Sequence, residues 1–244
     1  GGMLRLGASN VIPDGATAGS VSVVVGATLD LASNSETING LRGGGTITTT
    51  FIGSPVLTVG GNNASGWFNG AYTQGSGLVP ALTKIGSGTL ILSGANTFTG
   101  NLRIEGGKVR GASVAGALGG AGTIEFAGGD LELANDTALT FSRTAVSVLS
   151  SAAITVDRLT SGAGVTHTVT APVTLAIGNQ QLSVNGGPLV TSGTMGLTFG
   201  PVTLSGSPTF VVNNPVNGGV TLLTIGAATL DTNTITVKGS GNLT

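Results

Sequence analysis

The sequence predicts an all-β chain whose short strands stack as the coils of a β-solenoid. Apolar and polar residues alternate with a period of two in many short segments, such as 28–31, 89–92 and 234–237. Glycine supplies 44 of the 244 residues, and Gly-Gly, Asn-Gly and Gly-Ser pairs separate the segments, as sharp corners require. Aromatic residues make up only 4% of the chain, too few for a β-sandwich core or for the girdles of a membrane barrel.

The coils themselves are marked by an imperfect Gly-x-Leu-x-Leu motif. It is clearest over residues 88–94, and it recurs at 2–7, 27–31, 173–178, 202–206 and 228–231. At about 20 residues per coil and about 4.8 Å between coils, the chain would form roughly a dozen coils. The rod would then be about 55–60 Å long.

Composition excludes several classes of protein. Only nine Lys and Arg residues and a formal net charge of −1 argue against a nucleic-acid partner. No apolar run approaches the roughly 18 residues of a membrane-spanning helix. The chain has no cysteine, so it has neither disulfides nor thiolate metal ligands. Both termini resemble strands, and we expect 1–244 to be a single β-solenoid segment cut from a longer repeat protein.

A specific repeat motif lies in the middle of the chain. Residues 82–100 read LTKIGSGTLILSGANTFTG, and 101–109 continue NLRIEGGKV. This stretch, 82–109, resembles the autotransporter-associated β-strand repeat, the passenger repeat of bacterial type V secreted surface proteins. That pattern runs L-T-K-x-G-x-G-T-L-x-L-S-G-x-N-T-Y-T-G, and Phe98 stands here in place of the usual Tyr.

The resemblance implies a right-handed parallel β-helix that is exported through the outer membrane to the cell surface. It implies an extracellular adhesin, a structural stalk or a carrier rod for another domain, with a host-surface or glycan receptor as partner. The lack of cysteine fits export, because periplasmic disulfides would jam a passenger threaded unfolded through a pore. From about residue 142 onward the resemblance is compositional only.

One aromatic cluster is a candidate contact site for a ligand or partner. Trp67, Phe68 and Tyr72 lie in the most Asn-, Gly- and Ser-rich segment, 60–77, and include the only Trp and the only Tyr. Such side chains stack on sugar rings or anchor a partner. The alternative is that Trp67 and Phe68 cover the core where one coil passes to the next.

Other polar residues have structural interpretations. Asp130 and Glu132 share a strand face opposite two leucines, so we expect their carboxylates to face water rather than to act as an acid–base pair. The single histidine, His167, has no acidic or cysteine neighbour in sequence, and we expect it at the surface or in a turn. We expect no metal, cofactor or catalytic residue.

We expect Asn39, Asn96 and Asn101 to form side-chain amide ladders between coils.

Three functions remain open at this point. The leading one is a non-catalytic surface stalk, display rod or adhesin. The second is a self-assembling filament subunit that associates end to end or laterally, since open solenoid ends carry unpaired backbone groups. The third, a polysaccharide-active β-helix enzyme, is disfavoured because the few charged residues are spread thinly.

Overall fold

The chain winds into a parallel β-solenoid of about nine turns in a computed structural model that describes residues 1–169 and 174–244. The two largest sheets form two long sides of the rod, and each strand pairs in parallel with the strand one turn away. The ten-stranded sheet contains Val21–Ser22, Leu41–Gly43, Gly66–Phe68, Thr89–Leu92, Lys108–Ala112, Asp130–Ala134, Ala152–Asp157, Gln181–Gly186, Thr209–Asn213 and Thr236–Gly239. The nine-stranded sheet contains Glu36–Ile38, Val56–Val59, Ala81–Lys84, Leu102–Ile104, Thr123–Phe126, Ala145–Val148, Thr174–Ile177, Val202–Leu204 and Ala228–Thr229.

A third side closes the coil after each strand of the ten-stranded sheet. Its first part is a four-stranded sheet of Met3–Arg5, Thr28–Asp30, Thr46–Thr48 and Ala71–Tyr72. Its last part is a five-stranded sheet of Thr140–Phe141, Thr166–Val169, Thr194–Thr198, Val220–Thr224 and Asn242–Leu243. Between them, the amide of Thr97 donates to the carbonyl of Tyr72 at 2.9 Å and that of Gly120 to the carbonyl of Phe98 at 3.0 Å, so the stack continues.

Two shorter elements complete the structure. Gly162–Ala163 and Val190–Ser192 form a two-stranded sheet at a corner, and Ala115–Leu118 is a short 3-10 helix. No helix in the described part of the chain is long and apolar enough to cross a membrane.

The core is made of columns of like residues, one from each turn. On the nine-stranded sheet, Leu57, Leu82, Leu102 and Ile124 follow one another in register, and all are at most 2% exposed. On the ten-stranded sheet, Leu90, Val109, Leu131 and Ile154 form the matching column. One continuous core runs from Leu6 to Leu223. The predicted fold class is therefore confirmed.

The number of turns is smaller than the sequence analysis predicts, because the turns are longer and unequal. Leu90 pairs with Val109 one turn later, whereas Ile154 pairs with Val184, a much longer step along the chain. About nine turns rather than a dozen result. Nine spacings of about 4.8 Å give a stack roughly 43 Å long. The right hand of the coil stays a prediction.

Glycines occupy corners where two turns come closest. A Cβ atom at Gly94 would overlap the carbonyl oxygen of Gly70, and one at Gly70 would overlap that of Gly45. These three glycines form a column at the corner between the ten-stranded sheet and the third side. Close approach of backbone, rather than turn shape alone, thus explains part of the high glycine content.

The columns predict a clear difference between inward and outward substitutions. Leu102→Ala leaves a cavity between Leu82 and Ile124 and should lower the free energy of unfolding by about 2–5 kcal/mol. Thr83→Ala, on the outer side of the adjacent strand, should change it by about 0.5 kcal/mol or less. Urea unfolding followed by circular dichroism compares the two variants. Equal losses would contradict the assignment of faces.

Candidate functional site

The structure separates the three aromatic residues that the sequence places together. Trp67 points outward from the ten-stranded sheet and is 52% exposed, whereas Phe68 and Tyr72 are 1% and 2% exposed. The ring of Tyr72 packs on that of Phe98, with 5.2 Å between the centroids. Phe68 and Tyr72 are core residues and cannot contact a ligand on the surface. Of the predicted site, Trp67 alone is available.

Trp67 has outward-facing neighbours in both directions across the sheet. Arg42 is its register partner on the preceding turn, and Ile91 is its partner on the following turn. Arg42 is exposed and Ile91 is half-buried. Ser65 and Asn69 lie two residues before and after Trp67, and both are exposed. Arg42 and Trp67 lie far apart along the chain, and only the strand register brings them together.

Further up the same sheet, the charges are paired. Glu132 accepts from Lys108 Nζ at 3.1 Å and lies 3.0 Å from Arg110 Nε. Asp130 accepts a hydrogen bond from the amide of Ala153 at 2.8 Å. Both carboxylates lie on the outer face, opposite the buried Leu131 and Leu133, as expected, but they are half-buried and partnered rather than free in water.

Similar pairs lie on the other sides of the rod. Arg103 bonds Glu105 at 2.6 Å and Glu125 at 3.0 Å, and these two carboxylates, Glu105 first, raise its pKa. Asp136 bonds the amide and hydroxyl of Thr160, which lowers the pKa of its carboxyl group, and it also pairs with Arg158. Such exposed pairs contribute little to stability.

Lys84 is an interior cation that the sequence analysis missed. Its side chain is fully buried, and Nζ donates to the carbonyls of Ile85 at 2.6 Å, Gly86 at 2.9 Å and Gly106 at 3.3 Å. Lys84 thereby joins two successive turns at a corner. Burial lowers its pKa to about 8. The inward direction of Lys84 can be predicted from the sequence. Lys84 lies two residues after the inward Leu82 on one strand, so both side chains point to the same side.

Arg143 has the same function on the third side. It is 3% exposed, and its guanidinium donates to the carbonyls of Leu118, Gly100 and Thr123 at 3.0–3.1 Å. It also lies over the ring of Phe98, 5.5 Å from the centroid. Burial lowers its pKa to about 10. In the described part of the chain, neither Arg143 nor Lys84 is paired with a carboxylate.

The expectation of a surface histidine is wrong. His167 is fully buried, Nδ1 accepts the amide of Leu139 at 3.2 Å, and its ring meets that of Phe141 edge-on at 6.1 Å. Burial lowers the pKa of His167, so the imidazole stays neutral in the core. The strand Thr166–Val169 alternates, and His167 shares the inward side with Val169.

The expected amide ladder of Asn39, Asn96 and Asn101 is also wrong. Asn39 and Asn96 are buried and bond backbone groups of other segments, Asn39 to Ala18 at 2.8 Å and Asn96 to Ala117 at 2.7 Å. Asn101 bonds a carboxylate, at 2.6 Å. A true side-chain amide pair occurs elsewhere, from Asn213 to Asn185 at 2.8 Å.

No metal centre can be described in this structure. Within residues 1–169 and 174–244, no group of three or more His, Asp or Glu side chains is placed to hold an ion. Within the described residues, the strand register places the exposed ring of Trp67 next to the exposed Arg42 on the ten-stranded sheet. Elsewhere on the rod, Arg5 lies over the exposed ring of Phe51, 5.2 Å from its centroid.

Together, the nine-turn parallel stack and its core columns define a β-solenoid repeat protein. The repeat itself can be identified: residues 82–110 match the family described as Passenger-associated-transport-repeat. The predicted resemblance over 82–109 is confirmed. No curated protein and no solved structure gives a significant match to the chain.

The buried lysine predicts an unusual dependence of stability on pH. The pKa of Lys84 is about 8 when folded, against about 10.4 in an unfolded chain. Between these values the unfolded state binds more protons, so stability rises with pH. From pH 7.5 to 9.5 the free energy of unfolding should increase on the order of 1–2 kcal/mol.

Urea midpoints measured across this range check the prediction, with Lys84→Met as the control that abolishes the rise. Tyr72 limits the upper end of the pH range in which stability rises. Burial raises its pKa, so ionisation of the unfolded tyrosine opposes the effect above about pH 10. A rise of the same size in Lys84→Met would contradict the assignment to Lys84.

Proposed function

We propose that this chain is a non-catalytic, adhesive rod within an exported passenger, displayed at the surface of a bacterial cell. The observation that carries the proposal is the unbroken parallel stack that contains a passenger-associated transport repeat at 82–110. A stack in which each turn bonds to the next is a stiff spacer, suited to hold a surface away from the cell.

The state of the charged groups supports a non-catalytic role. Glu132 lies between two cations, Lys108 and Arg110, and Glu125 accepts from Arg103. Asp30 is bonded by Arg5, by the hydroxyl of Thr50 and by the amide of Ala32. These carboxylates serve to connect turns.

The composition of the chain supports export. The sequence has no cysteine, so no disulfide can form in the periplasm and block passage through an outer-membrane pore. Only 8% of residues are charged. This low charge content suits a stacked rod, because like charges repeated on successive strands would repel one another across the sheet.

A display experiment tests this proposal. The chain, with an epitope tag, is placed between a cleavable export signal and an outer-membrane translocator barrel in a Gram-negative host. We expect antibody to label intact cells, and the displayed chain to resist protease because its backbone is bonded turn to turn. Quantitative flow cytometry and protease titration provide the measurements.

Leu102→Asp is the matched control for folding, because it places a charge in the core column. This variant should become protease-sensitive once displayed. Retention of the unmodified chain inside the cell, or equal protease sensitivity of both chains, would contradict the proposal. Hydrolysis or cleavage of a polysaccharide by the purified chain, lost in Glu132→Ala, would contradict its non-catalytic part.

A further inference from the structure

Trp67 lies among exposed polar side chains whose donor groups make no hydrogen bond within the part of the chain that the structure describes. Arg42 precedes it by one turn, and Ser65 and Asn69 flank it along the strand. The Arg42 guanidinium and the Asn69 amide make no hydrogen bond or ion pair with any described residue, and neither does the indole N–H of Trp67. Ser65 uses its hydroxyl oxygen as an acceptor for the amide of Thr89, so its O–H is free to donate.

Arg42 is the distinctive member of this group, because the other cations of the sheet's middle turns are neutralised. Lys108 and Arg110 both pair with Glu132. In the ten-stranded sheet, the first carboxylates along the chain belong to the strand Asp130–Ala134. By register Glu132 lies four turns from Arg42, roughly 19 Å at about 4.8 Å per turn, which exceeds the Debye length in physiological salt.

The shape of the surface suits a flat ligand. Trp67 rises from a sheet side, and Ile91 extends its apolar surface on the next turn. An exposed aromatic ring offers an apolar face on which a flat ligand can stack. Hydrogen-bond donors next to an aromatic plane match a pyranose ring, whose C–H face stacks while its hydroxyl groups bond at the edge.

We propose that Arg42, Trp67 and Asn69 form a binding site for an acidic oligosaccharide that carries carboxylate groups. The sugar ring stacks on Trp67, and the carboxylate accepts hydrogen bonds from the Arg42 guanidinium in a bidentate fork. Ser65 and Asn69 bind ring hydroxyl groups. This inference rests on the proposed adhesive function only for its biological meaning, since the site itself is tested on purified protein.

The charge of Arg42 selects this ligand over a neutral sugar, because an unpaired guanidinium offers a partner that only an anion satisfies fully. The bonds are to a carboxylate on a rigid ring rather than to a long polyanion, since the chain has only nine cations and a net charge of −1.

Tryptophan fluorescence provides a direct measurement, because Trp67 is the only tryptophan in the chain. Purified protein is titrated with oligogalacturonate, and separately with a neutral maltooligosaccharide of equal length. We expect a saturable change in Trp67 emission with oligogalacturonate and at least tenfold weaker binding of the neutral sugar, about the value of one charge-assisted hydrogen-bonded pair.

Three variants locate the site, with calorimetry as the readout where Trp67 is removed. Arg42→Gln should weaken oligogalacturonate binding at least about tenfold, and Trp67→Ala should abolish detectable binding. Lys238→Gln removes one exposed positive charge from the far end of the same sheet and should bind like the unmodified chain. Circular dichroism and urea unfolding verify that each variant is folded.

Several results would overturn the inference. Absence of any emission change, equal binding of the neutral sugar, or equal weakening by Arg42→Gln and Lys238→Gln would each do so. A Trp67 emission shift that depends on protein concentration alone would assign this surface to contacts between copies of the chain. None of these results affects the display experiment, so failure of the sugar site and failure of the proposed function are distinguishable.

Discussion

In-register stacking of parallel strands is the constraint on which the rest of this structure depends. Because each strand bonds to the strands one turn before and after it, an inward side chain always meets the side chain at the same position of the next turn. One such column contains side chains of similar volume, from Leu82, Leu102 and Ile124. A change in the size of any one side chain therefore affects both of its neighbours in the column. Outward positions obey the same register, which is why Glu132 meets Arg110 and why Arg42 meets Trp67.

Several of the buried polar residues lie at or beside corners, where the ladder of strand hydrogen bonds is interrupted. A strand that leaves the ladder exposes carbonyl groups to the core, and buried carbonyl groups need donors. Lys84 supplies three hydrogen bonds at one corner, and Arg143 supplies three at another. Asn39 and Asn96 do the same with neutral amides. A buried charge without a carboxylate is costly to desolvate, and the lowered pKa values of Lys84 and Arg143 record that cost.

Period-two alternation in the sequence predicted the strands, their inward faces and the fold class, and the repeat motif at 82–109 predicted the family match. The prediction that Trp67 and Phe68 lie on one surface was wrong. Neighbouring residues on a strand point to opposite sides, so these two side chains cannot share a surface. Parity alone would have placed Lys84 and His167 inside. The pairing of Arg42 with Trp67 was beyond the sequence, since unequal turn lengths hide which residues are one turn apart. The same inequality made the predicted number of coils too large.

Turns of unequal length share one register in this rod, and this has a consequence for how such chains change over generations. A deletion or insertion inside a corner leaves the strands aligned, because the hydrogen bonds between turns are made by strand residues and not by the residues that connect the strands. Loop insertions of this kind carry a small entropic penalty. A gene for this rod can therefore acquire new surface loops, or duplicate a whole turn, while its core columns stay in phase. Selection can act on the outer surface and the length of the molecule almost independently of its interior.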